Sequence, residues 1–179
     1  MARWPTSPFT IAGTRGYGAV RRSTADGGCG ISSYPCTHWG MDLVPKDRDS
    51  RVYAPEAGTI VDIAYNTAPY VGYGPSTINM LGASGVYHLL AHLEPSTITV
   101  SPGQRVAEGT LLARYNAAYA HTHYEVRKDR IGPSASNTID PSVWMAGQGM
   151  LGSLGGLLLF GAAAWVAYRV TRGERLWPV

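Results

Sequence analysis

Apolar and polar residues alternate along several short stretches of this chain. Arg51-Val-Tyr-Ala, Gly58-Thr-Ile-Val-Asp-Ile-Ala-Tyr and Ser76-Thr-Ile-Asn-Met-Leu are three of them. Val86-Tyr-His-Leu-Leu-Ala-His-Leu, Leu111-Leu-Ala-Arg-Tyr and His121-Thr-His-Tyr-Glu-Val-Arg are three more. Each is rich in β-branched or aromatic residues and bounded by Gly, Pro, Asn or Ser, which predicts strands. Pro55-Glu-Ala-Gly58 and Ser101-Pro-Gly-Gln read as the turns between them. Helical periodicity is poor before residue 143. The pattern predicts a mainly β domain, an antiparallel sandwich or distorted barrel, over residues 27–130. Residues 1–26 read as an irregular N-terminal arm, and 131–142 as a linker rich in Gly, Pro, Ser and Asn.

Beyond the linker the pattern changes. No charged residue occurs from Val143 to Tyr168, and Met150 to Tyr168 reads MLGSLGGLLLFGAAAWVAY. At a helical rise of ~1.5 Å per residue such a stretch just crosses a ~30 Å hydrocarbon layer. Residues 143–170 are therefore expected to form a C-terminal transmembrane-like α-helix, or a helix buried in a protein assembly, since Gly152, Gly155, Gly156 and Gly161 dilute its hydrophobicity. Arg172 and Arg175 lie in the tail at 171–179, which reads as basic, and Arg169 stands just before it.

Composition refines this picture only in part. The chain has 179 residues, 22 Gly, 12 Pro and 11 Tyr but only 2 Phe, which suits short strands and tight turns rather than a helical bundle. Net charge is +3 with no basic cluster, so nucleic acid is not an expected partner. The two cysteines, Cys29 and Cys36, can close a small disulfide loop in an oxidising compartment or remain free. The N-terminus lacks the apolar region of a secretory signal, and Pro5 and Pro8 interrupt any helix there.

The five histidines carry the candidate chemistry, because they fall in three short motifs. His38-Trp-Gly-Met-Asp42 offers an imidazole and a carboxylate, both good zinc ligands. In His121-Thr-His123 a strand places both imidazoles on one face. They can share a metal, or one can bind it while the other works as acid or base. His88-Leu-Leu-Ala-His92 shares a face as strand or helix alike. It lacks the Glu of the helical H-E-x-x-H motif, so that metalloprotease class is excluded.

Taken in order, these motifs resemble those of the lysostaphin-like (LytM-type) zinc peptidases, which cleave peptide bonds in bacterial peptidoglycan. The resemblance runs from about Gly27 to Arg127, through His38-Trp-Gly-Met-Asp42, Ala91-His92-Leu93 and His121-Thr-His123. It is supported by Val52-Tyr-Ala-Pro-Glu-Ala-Gly-Thr-Ile-Val and Val100-Ser-Pro-Gly-Gln-Arg-Val-Ala-Glu-Gly. It implies one Zn²⁺ per chain held by His38, Asp42 and His123, with His92 and His121 as catalytic histidines that move protons or hydrogen-bond a developing oxyanion. The chain departs from the family in two places. Leu90 stands where a Tyr usually precedes the middle His, which leaves His88 as an alternative to His92. Tyr115-Asn-Ala-Ala-Tyr-Ala replaces a Gly-rich stretch before the last motif. Tyr34, just upstream of His38, is a further candidate for the oxyanion. Glu125, on the face of His123, is a candidate to orient that ring.

The resemblance implies an endopeptidase acting on peptidoglycan peptide stems or cross-bridges. The missing signal and the apolar C-terminal stretch together suggest a protein carried in a bacteriophage virion for wall penetration, with that stretch in a virion membrane or tail assembly and touching membrane or virion proteins. The alternatives are a cellular wall-remodelling hydrolase anchored in the bacterial cell membrane, its domain facing the wall, and a non-enzymatic structural or wall-binding virion protein.

Overall fold

A computed structural model describes residues 2–6, 8–11, 15–22, 35–67, 72–130 and 136–153, the last five of them as backbone only. Twelve strands occur among these residues: β1 (Phe9–Thr10), β2 (Val20–Arg21), β3 (Cys36–Thr37), β4 (Met41–Pro45), β5 (Arg51–Tyr53), β6 (Gly58–Ala64), β7 (Thr77–Gly82), β8 (Tyr87–Ala91), β9 (Arg105–Val106), β10 (Leu111–Arg114), β11 (Thr122–Arg127) and β12 (Thr138–Ile139). All the strand pairings are antiparallel. One sheet runs β1-β4-β11-β8-β7-β6-β9, with β12 pairing β11 beyond the end of β4. The pairs β5–β10 and β2–β3 form separate two-stranded ribbons. The mainly β, antiparallel expectation holds. The architecture is one large sheet with two small ribbons, rather than two sheets of similar size.

β11 is central, and its register sorts its side chains into two environments. Tyr124 sits opposite Met41 of β4 and Leu90 of β8, while His123 sits opposite Asp42 and Ala91. Because successive strand residues point to opposite faces, Tyr124 and Val126 join the core with Leu43, Ile60, Ile78 and Met80. The β5–β10 ribbon contributes Val52, Ala54, Leu112 and Ala113 to that same core. Each fully buried aliphatic side chain there is worth about 1.5–3 kcal/mol relative to exposure. His123, Glu125 and Arg127 take the other face, together with Leu89 and Ala91.

The N-terminal residues are part of this body. β1 extends the sheet beyond β4, and Trp4 packs its ring 4.8 Å from that of Phe9 and 6.3 Å from that of Tyr124. The Tyr53 amide donates to the Pro5 carbonyl, and the Arg3 amide to that of Pro55. Cys36 is disulfide-bonded; Cys29, the only other cysteine, lies outside the described residues, as does Tyr34.

The C-terminal expectation is corrected. The described helix, α1, is Pro141–Ser153, 13 residues long. Its start is fixed locally: the Asp140 carboxylate accepts from the Ser142 amide at 2.8 Å, and Pro141 supplies a preset φ at the first helical position. Thirteen residues span only about 20 Å at the helical rise, and among the described residues no helix is long and apolar enough to cross a membrane. The expected transmembrane-like helix is thus absent among the described residues, and residues 154–179 lie outside them. What α1 does instead is dock. Trp144 is buried against the core, its ring 4.8 Å from that of His88 and nearly edge-on to it.

Trp144→Ala should therefore destabilise the domain by about 3 kcal/mol, the low end of the cost of truncating a buried Trp. Urea unfolding followed by tyrosine fluorescence measures it. A change below about 0.5 kcal/mol, the scale of ordinary surface substitutions, would show that α1 does not hold the core.

Candidate active site

The site forms where β4 and β11 lie side by side. Asp42 and His123 are register partners on the face away from the core, and His38 enters from the short segment between β3 and β4. Gly40 makes this approach possible. A Cβ there would sit 2.6 Å from the His123 ring and 2.8 Å from Glu125 Cγ, so any side chain would displace the imidazole.

His92 arrives by a break in the strand pattern. Alternation along β8 puts His88 and Leu90 on the core face, and His92 would follow them. But β8 ends at Ala91, and His92 adopts a left-handed φ of 62°. That turn carries its ring to the other face, 4.8 Å from the His121 ring and 5.9 Å from that of His123. His88 stays in the core with no exposure, bonded to Glu56 Oε1 at 2.7 Å and to the Tyr124 hydroxyl at 2.9 Å. It is thus not an alternative to His92, and the ambiguity between the two resolves on backbone geometry.

Four imidazoles surround one carboxylate, and each has one ring nitrogen engaged on the outer side. His38 Nδ1 donates to the Gly16 carbonyl at 3.0 Å. His92 Nδ1 donates to the Tyr73 carbonyl at 3.0 Å, and His121 Nδ1 to the Tyr119 carbonyl at 2.6 Å, a closer contact than the 3.2 Å from the same nitrogen to Arg15 Nη1, which cannot accept. His123 Nε2 donates to Glu125 Oε1 at 2.8 Å. Carbonyls and carboxylates only accept, so these partners fix where one proton of each ring resides. The second nitrogen of each ring is then directed inward. His123 Nδ1 lies 2.9 Å from both His38 Nε2 and Asp42 Oδ1, and His38 Nε2 lies 3.2 Å from that same oxygen. His121 Nε2 is 3.4 Å from Asp42 Oδ1 and has no hydrogen-bond partner.

Three lone-pair donors converging at about 3 Å repel one another unless a positive charge lies among them. A tetrahedral zinc with bonds of roughly 2.0–2.1 Å has ligand–ligand edges of roughly 3.3 Å, close to the triangle observed. His38, Asp42 and His123 therefore fit a zinc ion. Asp42, His92 and His121 form a second, overlapping group of possible ligand atoms. The remaining Asp42 oxygen, Oδ2, accepts from the Arg21 guanidinium at 2.6 Å, so Asp42 presents only Oδ1 to the centre.

Electrostatics records the same demand. Burial opposes an ionised Asp42, yet its contacts with His121, His123 and His38 hold its pKa far below the ordinary carboxylate range. Burial also disfavours an imidazolium at His123, but the Asp42 and Glu125 carboxylates outweigh it and raise that pKa to about 9. Without a metal, a proton on His123 supplies the missing positive charge. Burial lowers His38, and it lowers His92 to about 3 with help from positive charge at His123 and His121. Glu125 is held at about 2: burial pushes it up, and the His123 hydrogen bond and Arg127 charge more than offset that. Arg127 Nε and the Tyr73 hydroxyl complete its coordination, at 2.6 and 2.8 Å.

Residues 36–141, well over half of the chain, match the profile of Peptidase family M23. The chain belongs to this family. Members of family M23 are zinc-dependent metallopeptidases. Solved structures of similar fold include the catalytic domain of lysostaphin from Staphylococcus simulans, at a TM-score of 0.55 and 19% identity, covering 77% of this chain and 92% of that one. CbpA from L. salivarius REN gives a TM-score of 0.63 at 15% identity, covering 82% and 95%. A zinc-containing peptidase from Vibrio cholerae gives 0.54 at 19%, covering 78% and 38%. The chain spans about half, 51%, of the lysostaphin solution structure. At these identities the likeness is one of fold. No curated protein matches the chain.

The structure thus brings His38, Asp42, His92, His121, His123 and Glu125 together. It adds residues that the motifs did not reveal. Arg127 was legible in principle, since it continues the alternation of His123 and Glu125 along β11. Arg21, Tyr73 and the Gly16 carbonyl were not, because they come from distant segments and carry no spacing relation to the histidines; Tyr119 stood two residues before His121 in the Tyr115-Asn-Ala-Ala-Tyr-Ala stretch, with nothing to mark its contacts.

Zinc binding should release about one proton at pH 7, the one held by His123, and affinity should rise with pH up to about 9. The sign follows from the raised pKa: below it the metal must displace a proton, above it none is present. Titration calorimetry in buffers of different ionisation enthalpy measures the release, and a buffer-independent heat would contradict it. Glu125→Gln should weaken zinc binding about 10- to 100-fold, the usual effect of removing a ligand's orienting partner. A competition assay against a chromogenic chelator reads that loss, and an unchanged affinity would remove Glu125 from the metal's support.

Proposed function

We propose that this chain is a zinc-dependent endopeptidase that hydrolyses peptide cross-links of bacterial peptidoglycan. The observation that carries the reading is the set of four imidazoles around Asp42, each anchored on its outer side, within an M23 domain. His38, Asp42 and His123 hold the ion. When bound, zinc polarises the scissile carbonyl and acidifies the attacking water.

The chain's own residues supply the proton transfers. His92 and His121 have their Nδ1 atoms committed to carbonyls, which leaves each Nε2 as a proton acceptor. His92 stays unprotonated at neutral pH because burial holds its pKa down to about 3. One of the pair accepts a proton from the water that attacks the carbonyl carbon. As the C–N bond breaks, a proton passes to the leaving amine, and the products are a carboxylate and an amine. The second histidine can serve the carbonyl oxygen only as an imidazolium, and in that form its Nε2–H donates to the oxygen as negative charge develops on it.

The proposal extends to delivery. The enzyme reaches the wall in a phage particle. Mass spectrometry of purified particles tests this, and finding the chain only in envelopes of uninfected cells would sink it.

For the activity, His92→Ala and His121→Ala should each lower the rate of amino-group release from purified peptidoglycan by about 10²- to 10⁴-fold. Both variants should retain zinc, whereas His123→Ala should lose zinc and activity together. Zinc bound by the wild type with no cleavage of any wall chemotype would favour the non-enzymatic reading. Full cleavage in the presence of a chelator would refute the metal.

A further inference from the structure

The turn at 115–120 touches both of the histidines assigned to proton transfer. The Asn116 amide donates to the His92 carbonyl at 2.7 Å. Its side chain is itself tied down, Nδ2 donating to Glu94 Oε2 at 2.6 Å and Oδ1 accepting from the Ala118 amide at 3.0 Å. The Tyr119 amide closes the turn on the Asn116 carbonyl, and Ala120, at a left-handed φ of 56°, redirects the chain into His121.

Tyr119 then makes two contacts with different partners. Its ring lies flat on the His92 imidazole, centroids 4.1 Å apart and planes 10° from parallel. Its carbonyl accepts the His121 Nδ1 proton at 2.6 Å. Gly74 lies at the shared edge of the two rings, where a Cβ would stand 2.8 Å from His92 Nδ1 and 3.1 Å from Tyr119 Cζ. His92 therefore carries an aromatic plane on one face and Gly74 at its edge, at a backbone conformation that non-glycine residues rarely adopt. Tyr119 is no core residue. It is 38% exposed, belongs to neither buried apolar cluster, and its ring contacts are with His92 and His121. An exposed aromatic ring that covers two functional groups and no core has its structural consequence at those groups.

We propose that Tyr119 is a positioning residue for the reaction, its ring setting the His92 imidazole and its carbonyl the His121 imidazole. The inference rests on the roles proposed above for these two histidines. Ring and carbonyl separate experimentally, because substitution removes the ring and leaves the carbonyl in place.

The test compares the zinc-loaded full chain with Tyr119→Leu and Tyr119→Phe. Tyr119→Leu should lower kcat about 10- to 100-fold, the scale of a small misplacement of a catalytic group, with KM, zinc content and Tm little changed. Tyr119→Phe keeps the stacked plane and should restore kcat. Independently of turnover, the His92 ring protons should move downfield by NMR in Tyr119→Leu, where the ring current is lost, and stay in place in Tyr119→Phe. An unchanged kcat in Tyr119→Leu would overturn the proposal. So would a loss confined to KM, which would make the ring a substrate platform instead, or unmoved His92 signals. Failure of the wild type to cleave any wall preparation would count against the peptidase reading, while the NMR comparison decides the clamp without substrate.

Discussion

One carboxylate oxygen, Asp42 Oδ1, lies within 3.4 Å of nitrogens from three imidazoles. Such a convergence is unfavourable by itself, since lone pairs face lone pairs in a buried place. Two things hold it together. Outside the ring of ligands, carbonyls and Glu125 take the opposite N–H groups and prevent the imidazoles from rotating away. Inside it, a cation is required, and the raised pKa of His123 lets that ring carry a proton in the role. The direction of nearly every polar contact around the site follows from that one requirement for positive charge.

The fold supplies the rigidity this demands. β11 is buried along all six of its residues, with hydrocarbon on one face and the site on the other. A shift of β11 by one residue would drive His123 and Glu125 into the core and Tyr124 into the site, so the apolar core also fixes the register of the chemistry. Asp42 and His123 stand on paired strands, which are the best-constrained places to hold a catalytic arrangement, and His38 on the short segment leading into one of them. His92 and His121 lie just outside strands, each next to or at a left-handed residue, where the backbone is aimed rather than extended.

Much of this was legible in the residues themselves. Six strands announced themselves by alternation and their bounding turns, and β5, β6, β7, β8, β10 and β11 fall where that pattern put them. The strands missed are short ones, such as β1, β2, β9 and β12, or β4, whose His-Trp-Gly-Met-Asp run hid a strand inside a motif. Strand alternation, a local rule, put His121 and His123 on one face, but it also paired His88 with His92, which the structure separates. The choice between His88 and His92 was not local: it turns on one positive φ at the end of β8, which no composition signals. The C-terminal expectation misled over its described residues for a related reason. Hydropathy measures what a segment avoids, not what it packs against, and Trp144 had a core available within its own domain.

The N-terminal residues change where this domain begins. The family match starts at residue 36 and contains every histidine. Yet Gly16 provides the carbonyl behind His38, and Arg21 neutralises the far oxygen of Asp42. A chain shortened to start at residue 27 would keep every ligand and lose both of these supports. The boundary drawn by chemical motifs and the boundary drawn by charge balance are thus different, and truncation between them would leave a nest with its eggs but not its rim.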